Sequence, residues 1–343
     1  MVRRVSSLFV LAVLCACGRF IPAATSVSPG VLAVETAPGA ILEVLDWGGT
    51  GPTLVFLAGG GHTAHEFDEF APRLTDTFRV IGITRRGVGA SSGSRHRVAR
   101  DAIDDIARVL DAMELRSVVL VGHSQGGIEA AHFAELHPDR CAGIVHLDSA
   151  YLGGPPGALE EILRTTPAPE PPLRTAADSA SIVAMQAWIE RTQGFRLPES
   201  ELRARSRVDQ NGRIVGPAPR NTEASSRWFG KLPALHWESV KCPALGLYAV
   251  IAPLETWLPH YAARFDSLSA DERARADAYV RAFSAWTAER RAEFARWPQN
   301  RLVEFHATGH YFFLEQPEQE QTLVAIREFA ARLEPGSQSV RSQ

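Results

Sequence analysis

What most limits the fold of this chain is a succession of short apolar runs separated by helix-length stretches. Strand-like runs fall at Val31–Thr36, Ile41–Trp47, Thr53–Leu57, Arg79–Ile83, Ser117–Gly122, Ala142–Leu147, Ala244–Val250 and Arg301–His306. Helices are expected at Ala64–Thr75, Arg100–Glu114, Gly126–His137 and Glu318–Leu333. The later runs are nearly continuous hydrophobics, which suits parallel strands covered by helices on both faces. The expected class is therefore α/β, with a mostly parallel eight-stranded sheet. A length of 343 residues admits two ordinary domains or one large α/β domain carrying an insert.

The alternation breaks between Tyr151 and His236, where the chain opens with Gly153-Gly154-Pro155-Pro156 and later carries amphipathic stretches such as Ser181–Thr192. An insert of this kind after a strand is expected to form a mainly helical cap. A second excursion, Pro253–Asn300, holds an Ala/Arg/Glu-rich helix on which Tyr279, Phe283, Trp286 and Phe294 form a packing face. The expected division is a core part at 31–150, a cap at 151–235, a second core part at 236–334 and a frayed tail at 335–343.

Arg3 and Arg4 precede Val5–Leu14, an apolar stretch too short to span a bilayer as a mature helix, which is the pattern of a cleaved leader. Leu14-Cys15-Ala16-Cys17-Gly18 resembles a bacterial lipobox, giving a leader at 1–17, a linker at 18–30 and membrane attachment through a lipidated Cys17. The alternative is a plain secretory signal cut near Ala23 or Ala24. Either way the chain is expected outside the cytoplasm, in the cell envelope or secreted.

Basic and acidic residues number 36 and 39, without a polybasic run to neutralise phosphates, so no nucleic-acid partner is expected. CxxC, HxH and HExxH patterns are absent from the sequence, so neither is a metal site. Beyond the leader, only Cys141 and Cys242 remain, each just before a strand-like run. A disulfide between them and two reduced buried thiols both fit.

The local feature richest in chemistry is Val118-Val119-Leu120-Val121-Gly122-His123-Ser124-Gln125-Gly126-Gly127. With this chain's Gly and Ser content, chance alone would supply roughly 0.14 Gly-x-Ser-x-Gly pentapeptides, so the flanking strand and helix carry the reading. At a tight strand-to-helix turn, small residues two before and two after the serine prevent clashes while its hydroxyl points out of the sheet. The helix N-terminus behind it favours developing negative charge.

Three further segments stand in a consistent order around this one: Leu57-Ala58-Gly59-Gly60-Gly61-His62, the run from Val80 to Thr84-Arg85-Arg86-Gly87-Val88-Gly89-Ala90-Ser91, and Gly309-His310 followed by Glu315-Gln316-Pro317. Together they make the chain resemble the α/β-hydrolase family from about Val31 to Leu333. The resemblance implies an α/β-hydrolase sheet with Ser124 as nucleophile and His310 as base. It also implies an oxyanion hole made by the N–H groups of Gly60 and Gln125, with Gly61 as the fallback. Ala58 stands where the family usually has His, and Thr84 where it commonly has Asp. Arg86 is expected to anchor its loop. His62 and His123 are near the site by sequence and are expected to line the pocket.

The acid departs from the commonest pattern, since alignment puts Ala252 at the usual Asp position. Asp148, at the end of the preceding strand-like run, is the expected replacement, as in some branches of the family, with Glu255 the alternative. The implied activity is hydrolysis of a carboxylic ester of a small or medium apolar substrate through an acyl-enzyme, without organic cofactor or metal. Serine as nucleophile argues against dehalogenase or epoxide-hydrolase chemistry, which requires an attacking carboxylate. Lactone, thioester or aminopeptide substrates use the same site. From another class, Ala252 supports a non-catalytic ligand-binding envelope protein. Trp188, Phe195, Trp228 and Phe229 line an apolar substrate pocket or form the cap's own core.

Overall fold

The computed structural model describes residues 29–93, 99–149, 158–166, 172–218, 235–250, 265–306 and 308–333. Within them lies an eight-stranded sheet: β1 (Gly30–Ala37), β2 (Ala40–Gly48), β3 (Thr53–Leu57), β4 (Arg79–Ile83), β5 (Val118–His123), β6 (Cys141–Leu147), β9 (Ala244–Val250) and β10 (Arg301–His306). Two further strands, β7 (Ser206–Val208) and β8 (Ile214–Pro217), form a separate hairpin. The strand order is β1-β2-β4-β3-β5-β6-β9-β10, antiparallel at the two pairings of β2 and parallel elsewhere. The mostly parallel eight-stranded sheet expected from the sequence is the one observed.

Parallel strands need crossovers, and these supply the two covering layers. Because strand side chains alternate between faces, neighbours in one strand join different cores. Val55, Leu57, Leu120 and Ile144 pack with Ile103, Ile106 and Leu110 of α1 (Ala99–Ala112) and Ile128 and Phe133 of α2 (Gln125–Leu136). Leu54, Phe56, Val121, Val145 and Leu147 pack on the opposite face with Phe67, Phe70, Phe78, Phe312 and Phe313, under Leu323, Ile326 and Phe329 of the last helix, Glu318–Ala330. A strand buried on both faces has no polar side to show, hence the unbroken apolar runs.

One expected helix is not formed. Ala64–Thr75 is two short 3-10 turns, Ala64–Phe67 and Ala71–Leu74. Pro72 lacks the N–H and sterically opposes the carbonyl four residues back, so a continuous α-helix cannot run through it. The two turns instead drive Phe67 and Phe70 together into the sheet core.

In the insert, α3 (Ala158–Thr165) precedes α4 (Ile182–Gln193), α5 (Glu199–Arg205) and the β7–β8 hairpin. Ser181 caps α4 by accepting from Ala184 N–H, and Gly194 ends it in the left-handed region at φ 81°. Ile182, Met185, Ile189, Phe195, Leu197, Leu202 and Ile214 form the cap's own core, with Trp188 packed against it. Phe195 also stacks on Tyr311, ring centroids 3.8 Å apart, so it joins the cap to the loop that carries His310. Trp228 and Phe229 lie outside the described residues.

The second excursion contains α6 (Ala270–Ala295), opened by a reciprocal capping box between Ser269 and Glu272. Tyr279, Phe283 and Trp286 pack with Ile162 of α3, and Phe294 enters the sheet core. The last helix, Glu318–Ala330, is α7. Cys141 and Cys242 are buried free thiols with their sulfurs 3.7 Å apart. Among the described residues no helix is long and apolar enough to cross a membrane.

Candidate active site

The segments singled out in the sequence meet along one edge of the sheet, at the C-terminal ends of its parallel strands, where α/β folds place their ligands. Ser124 sits between β5 and α2 at φ 49°, ψ −115°, a conformation that costs a non-glycine residue roughly 1–3 kcal/mol. Its surroundings hold it there. Ser124 N–H donates to Leu147 C=O at 3.0 Å, and Ser124 C=O accepts from Ser149 Oγ at 2.7 Å and Gly127 N–H at 3.1 Å. A Cβ on Gly122 would lie 2.3 Å from Gly127 N, and one on Gly126 would lie 2.1 Å from Leu57 O. Only glycine allows strand and helix to approach so closely.

Asp148, just past β6, also has positive φ, 44°. Its N–H donates to Leu247 C=O at 2.8 Å and its Oδ1 accepts from Ala249 N–H at 2.9 Å, both groups belonging to β9. That leaves Oδ2, which stands 2.5 Å from His310 Nδ1. A carboxylate only accepts, so His310 Nδ1 donates, which in a neutral imidazole makes Nε2 the acceptor. The His310 ring lies 4.5 Å from that of His123, the residue before Ser124, and His123 Nε2 is 3.2 Å from His310 C=O. The loop that carries His310 is thereby seated against the turn that carries Ser124. Ala252 and Glu255 lie outside the described residues.

Gly60 is exposed in the Gly-rich loop after β3, and a Cβ placed on it would lie 3.0 Å from Gln125 Oε1. Gln125 is the first residue of α2, so its N–H has no acceptor within the helix. Gly61 follows at φ 76°.

His62 and His123 do not simply line a pocket; both are buried in a polar network. Glu66 accepts from Gly59 N–H at 2.9 Å and meets His123 Nδ1 at 2.9 Å and His62 Nδ1 at 3.4 Å. Burial alone would raise the Glu66 carboxyl, but His123 and His62 overcome this and hold it at about 2. Burial pushes the His123 imidazole down despite Glu66. Glu201, fully buried on α5, accepts from Thr63 N–H at 3.2 Å and from the Thr63 hydroxyl, and lies 3.2 Å from His62 Nδ1. Arg205 Nη1 donates to His62 Nε2 at 3.0 Å, and Tyr311 OH is 3.1 Å from the same atom.

Sequence reasoning missed Glu66, Glu201, Arg85 and Tyr311. Only Arg85, doubled with Arg86 in an otherwise Gly-rich motif, was marked by its neighbours. Arg86 does anchor its loop, bonding Asp105 of α1 through Nε at 3.0 Å and through Nη2. Among the described residues no group of three or more His, Cys, Asp or Glu side chains is arranged to hold a metal ion.

Residues 52–187 match the model of the alpha/beta hydrolase fold family. Epoxide hydrolase B of Mycobacterium tuberculosis is 36% identical over 107 residues, 30% of this chain and 30% of that protein. An esterase of the same organism is 28% identical over 115 residues, 34% of this chain and 39% of that one. The chain thus spans only about a third of the length of these curated relatives. A thermophilic esterase from Thermogutta terrifontis superposes with a TM-score of 0.54 at 22% identity, covering 89% of this chain and 99% of that one.

Proposed function

We propose that this chain, which has the α/β-hydrolase fold and matches that family's model over residues 52–187, is a serine hydrolase acting through an acyl-enzyme. The observation that carries the reading is the Asp148–His310 hydrogen bond, seated beside Ser124 at its strained turn. Ser124 Oγ attacks the carbonyl carbon while His310 Nε2 takes its proton. Asp148 stabilises the resulting imidazolium, which returns the proton to the leaving group. The N–H groups of Gly60 and Gln125 receive the oxyanion. Water, activated by the same histidine, then releases the acyl group.

A carboxylic ester of a small or medium apolar molecule is the proposed substrate. The likeness to an esterase agrees with it. The likeness to an epoxide hydrolase does not redirect the chemistry, because the group at the turn here is a hydroxyl. Asp148 beside His310 weighs against the non-catalytic scaffold that Ala252 suggested. The basic-then-apolar start and Cys17 support an extracytoplasmic, lipid-attached protein. These residues lie outside the described ones, and mass spectrometry of the mature N-terminus tests the attachment.

The decisive experiment is labelling with a fluorophosphonate, alongside turnover of short nitrophenyl esters, lactones and aminoacyl amides. Wild type is expected to label, Ser124→Ala not at all, and Asp148→Asn far more slowly. An unlabelled wild type would overturn the reading.

A further inference from the structure

We propose that Arg85 is a positioning residue that sets the direction of the Gly60 N–H, the oxyanion donor of the Gly-rich loop; this rests on the serine-hydrolase reading above. Arg85 follows β4 and is nearly buried, its side chain 11% exposed. Each of its three guanidinium nitrogens makes a hydrogen bond. Nε donates to Glu129 Oε1 at 2.6 Å, Nη1 to Gly59 C=O at 2.9 Å and Nη2 to Ala58 C=O at 2.5 Å.

The consequence follows from peptide planarity. In a trans peptide the C=O and the next residue's N–H point in opposite directions, so fixing one fixes the other. The Ala58–Gly59 peptide is held at both ends, its C=O by Arg85 and its N–H by Glu66 Oε2. Gly59 N–H is therefore already occupied. The Gly59–Gly60 peptide is held at its C=O by Arg85, with His62 N–H adding a second bond to the same oxygen at 3.2 Å. Its N–H, on Gly60, must then point away from Arg85.

A run of three glycines does not hold such an orientation by itself, since glycine peptides rotate with little steric resistance. Apart from the His62 turn bond, the constraint comes from outside the loop. Glu129, buried on α2, holds Arg85 and also accepts from Gln125 Nε2 at 3.3 Å, so one carboxylate ties the Gly-rich loop to the residue that supplies the second donor. A planar fork with three directed N–H groups suits this task, and an ammonium cannot reproduce it.

The test uses the mature protein with Arg85→Lys, Arg85→Ala and Glu129→Gln. Steady-state kinetics on a nitrophenyl ester are paired with inhibition by an alkylboronic acid, whose serine adduct is tetrahedral and anionic. Arg85→Ala is expected to lose about 10- to 100-fold in kcat, and boronate affinity by the same factor, with KM within about twofold. Arg85→Lys and Glu129→Gln should fall between it and wild type. Added ethylguanidinium should restore part of the kcat of Arg85→Ala, which a role in folding alone would not allow. Wild-type kcat in all three variants, or a loss confined to KM or melting temperature with boronate affinity intact, overturns the proposal. A wild type that neither labels with fluorophosphonate nor turns over any ester sinks the hydrolase reading, and this inference with it. An active wild type with unaffected Arg85 variants sinks this inference alone.

Discussion

Asp148 and His310 are 162 residues apart in the chain, and Oδ2 of one stands 2.5 Å from Nδ1 of the other. The other carboxylate oxygen is fixed by Ala249 N–H, so the acid cannot turn away from the imidazole without losing a buried hydrogen bond. Asp148→Asn keeps the acceptor for Ala249 but presents an N–H₂ to His310 Nδ1, which selects the tautomer that cannot take a proton at Nε2. We expect kcat on a nitrophenyl ester to fall about 10³- to 10⁴-fold with KM little changed. Asp148→Ala should also lower stability by about 1–3 kcal/mol, because it leaves the Ala249 N–H unpaired. Denaturant melts of the two variants separate these effects.

The close approach behind Ser124 sets a limit on substitution. Gly126→Ala puts a methyl group 2.1 Å from the Leu57 carbonyl, where only backbone movement gives relief. It is expected to destabilise by more than about 3 kcal/mol and to abolish labelling of Ser124. Gly212→Ala, at φ 78° in open space on the cap hairpin, carries only the left-handed penalty of about 1 kcal/mol and should label as wild type does.

Glu201 joins the cap to the Gly-rich loop through Thr63 and His62. Replacing it with Leu strands the Thr63 N–H and hydroxyl in a buried site and leaves His62 Nδ1 to the Glu66 carboxylate, at 3.4 Å. Glu201→Leu should therefore cost about 3–5 kcal/mol, raise KM and expose the cap to limited proteolysis. Glu201→Gln retains an acceptor and should lie nearer wild type. Equal protease resistance in all three proteins would show that this contact does not hold the cap.

Glu315, five residues beyond His310, gives a pH dependence. Burial, with Glu318 nearby, pushes its carboxyl up to about 7. A carboxyl with a raised folded pKa binds its proton more tightly in the native state. Its contribution is fully present below the unfolded value of about 4.5 and is lost as pH rises through 7. Glu315→Gln cannot ionise, so its melting temperature should exceed that of wild type at pH 8 and match it near pH 4.5. A constant difference across that range would contradict the assignment.

The sheet was legible because burial on both faces forces strands to be written as apolar runs. Thr53–Leu57 and Arg79–Ile83 match the observed strands end to end. The short cap hairpin was not legible, since strands of three and four residues such as Ser206–Val208 and Ile214–Pro217 are too brief to show a period. The failed helix at Ala64–Thr75 marks where one proline outweighed an otherwise helical composition.

Ser124 and His310 could be picked out because each sits in a local motif whose spacing answers a local backbone demand: a glycine-flanked turn for one, a loop after the last strand for the other. Asp148 carries no such local motif, and in the sequence it competes with Ala252 and Glu255 for the acid position. What made it the partner of His310 is the adjacency of β6 and β9 and the positive φ that aims its side chain, neither of which a linear pattern records. Glu66 and Glu201 carried still less signal, being ordinary charged residues in ordinary places. The chain by itself determined where strands, the turn and the base loop fall, because those follow from burial and backbone sterics between near neighbours. Which charges would be buried together was decided only by the tertiary structure, because a charge leaves water only when partners brought from distant segments offset its desolvation.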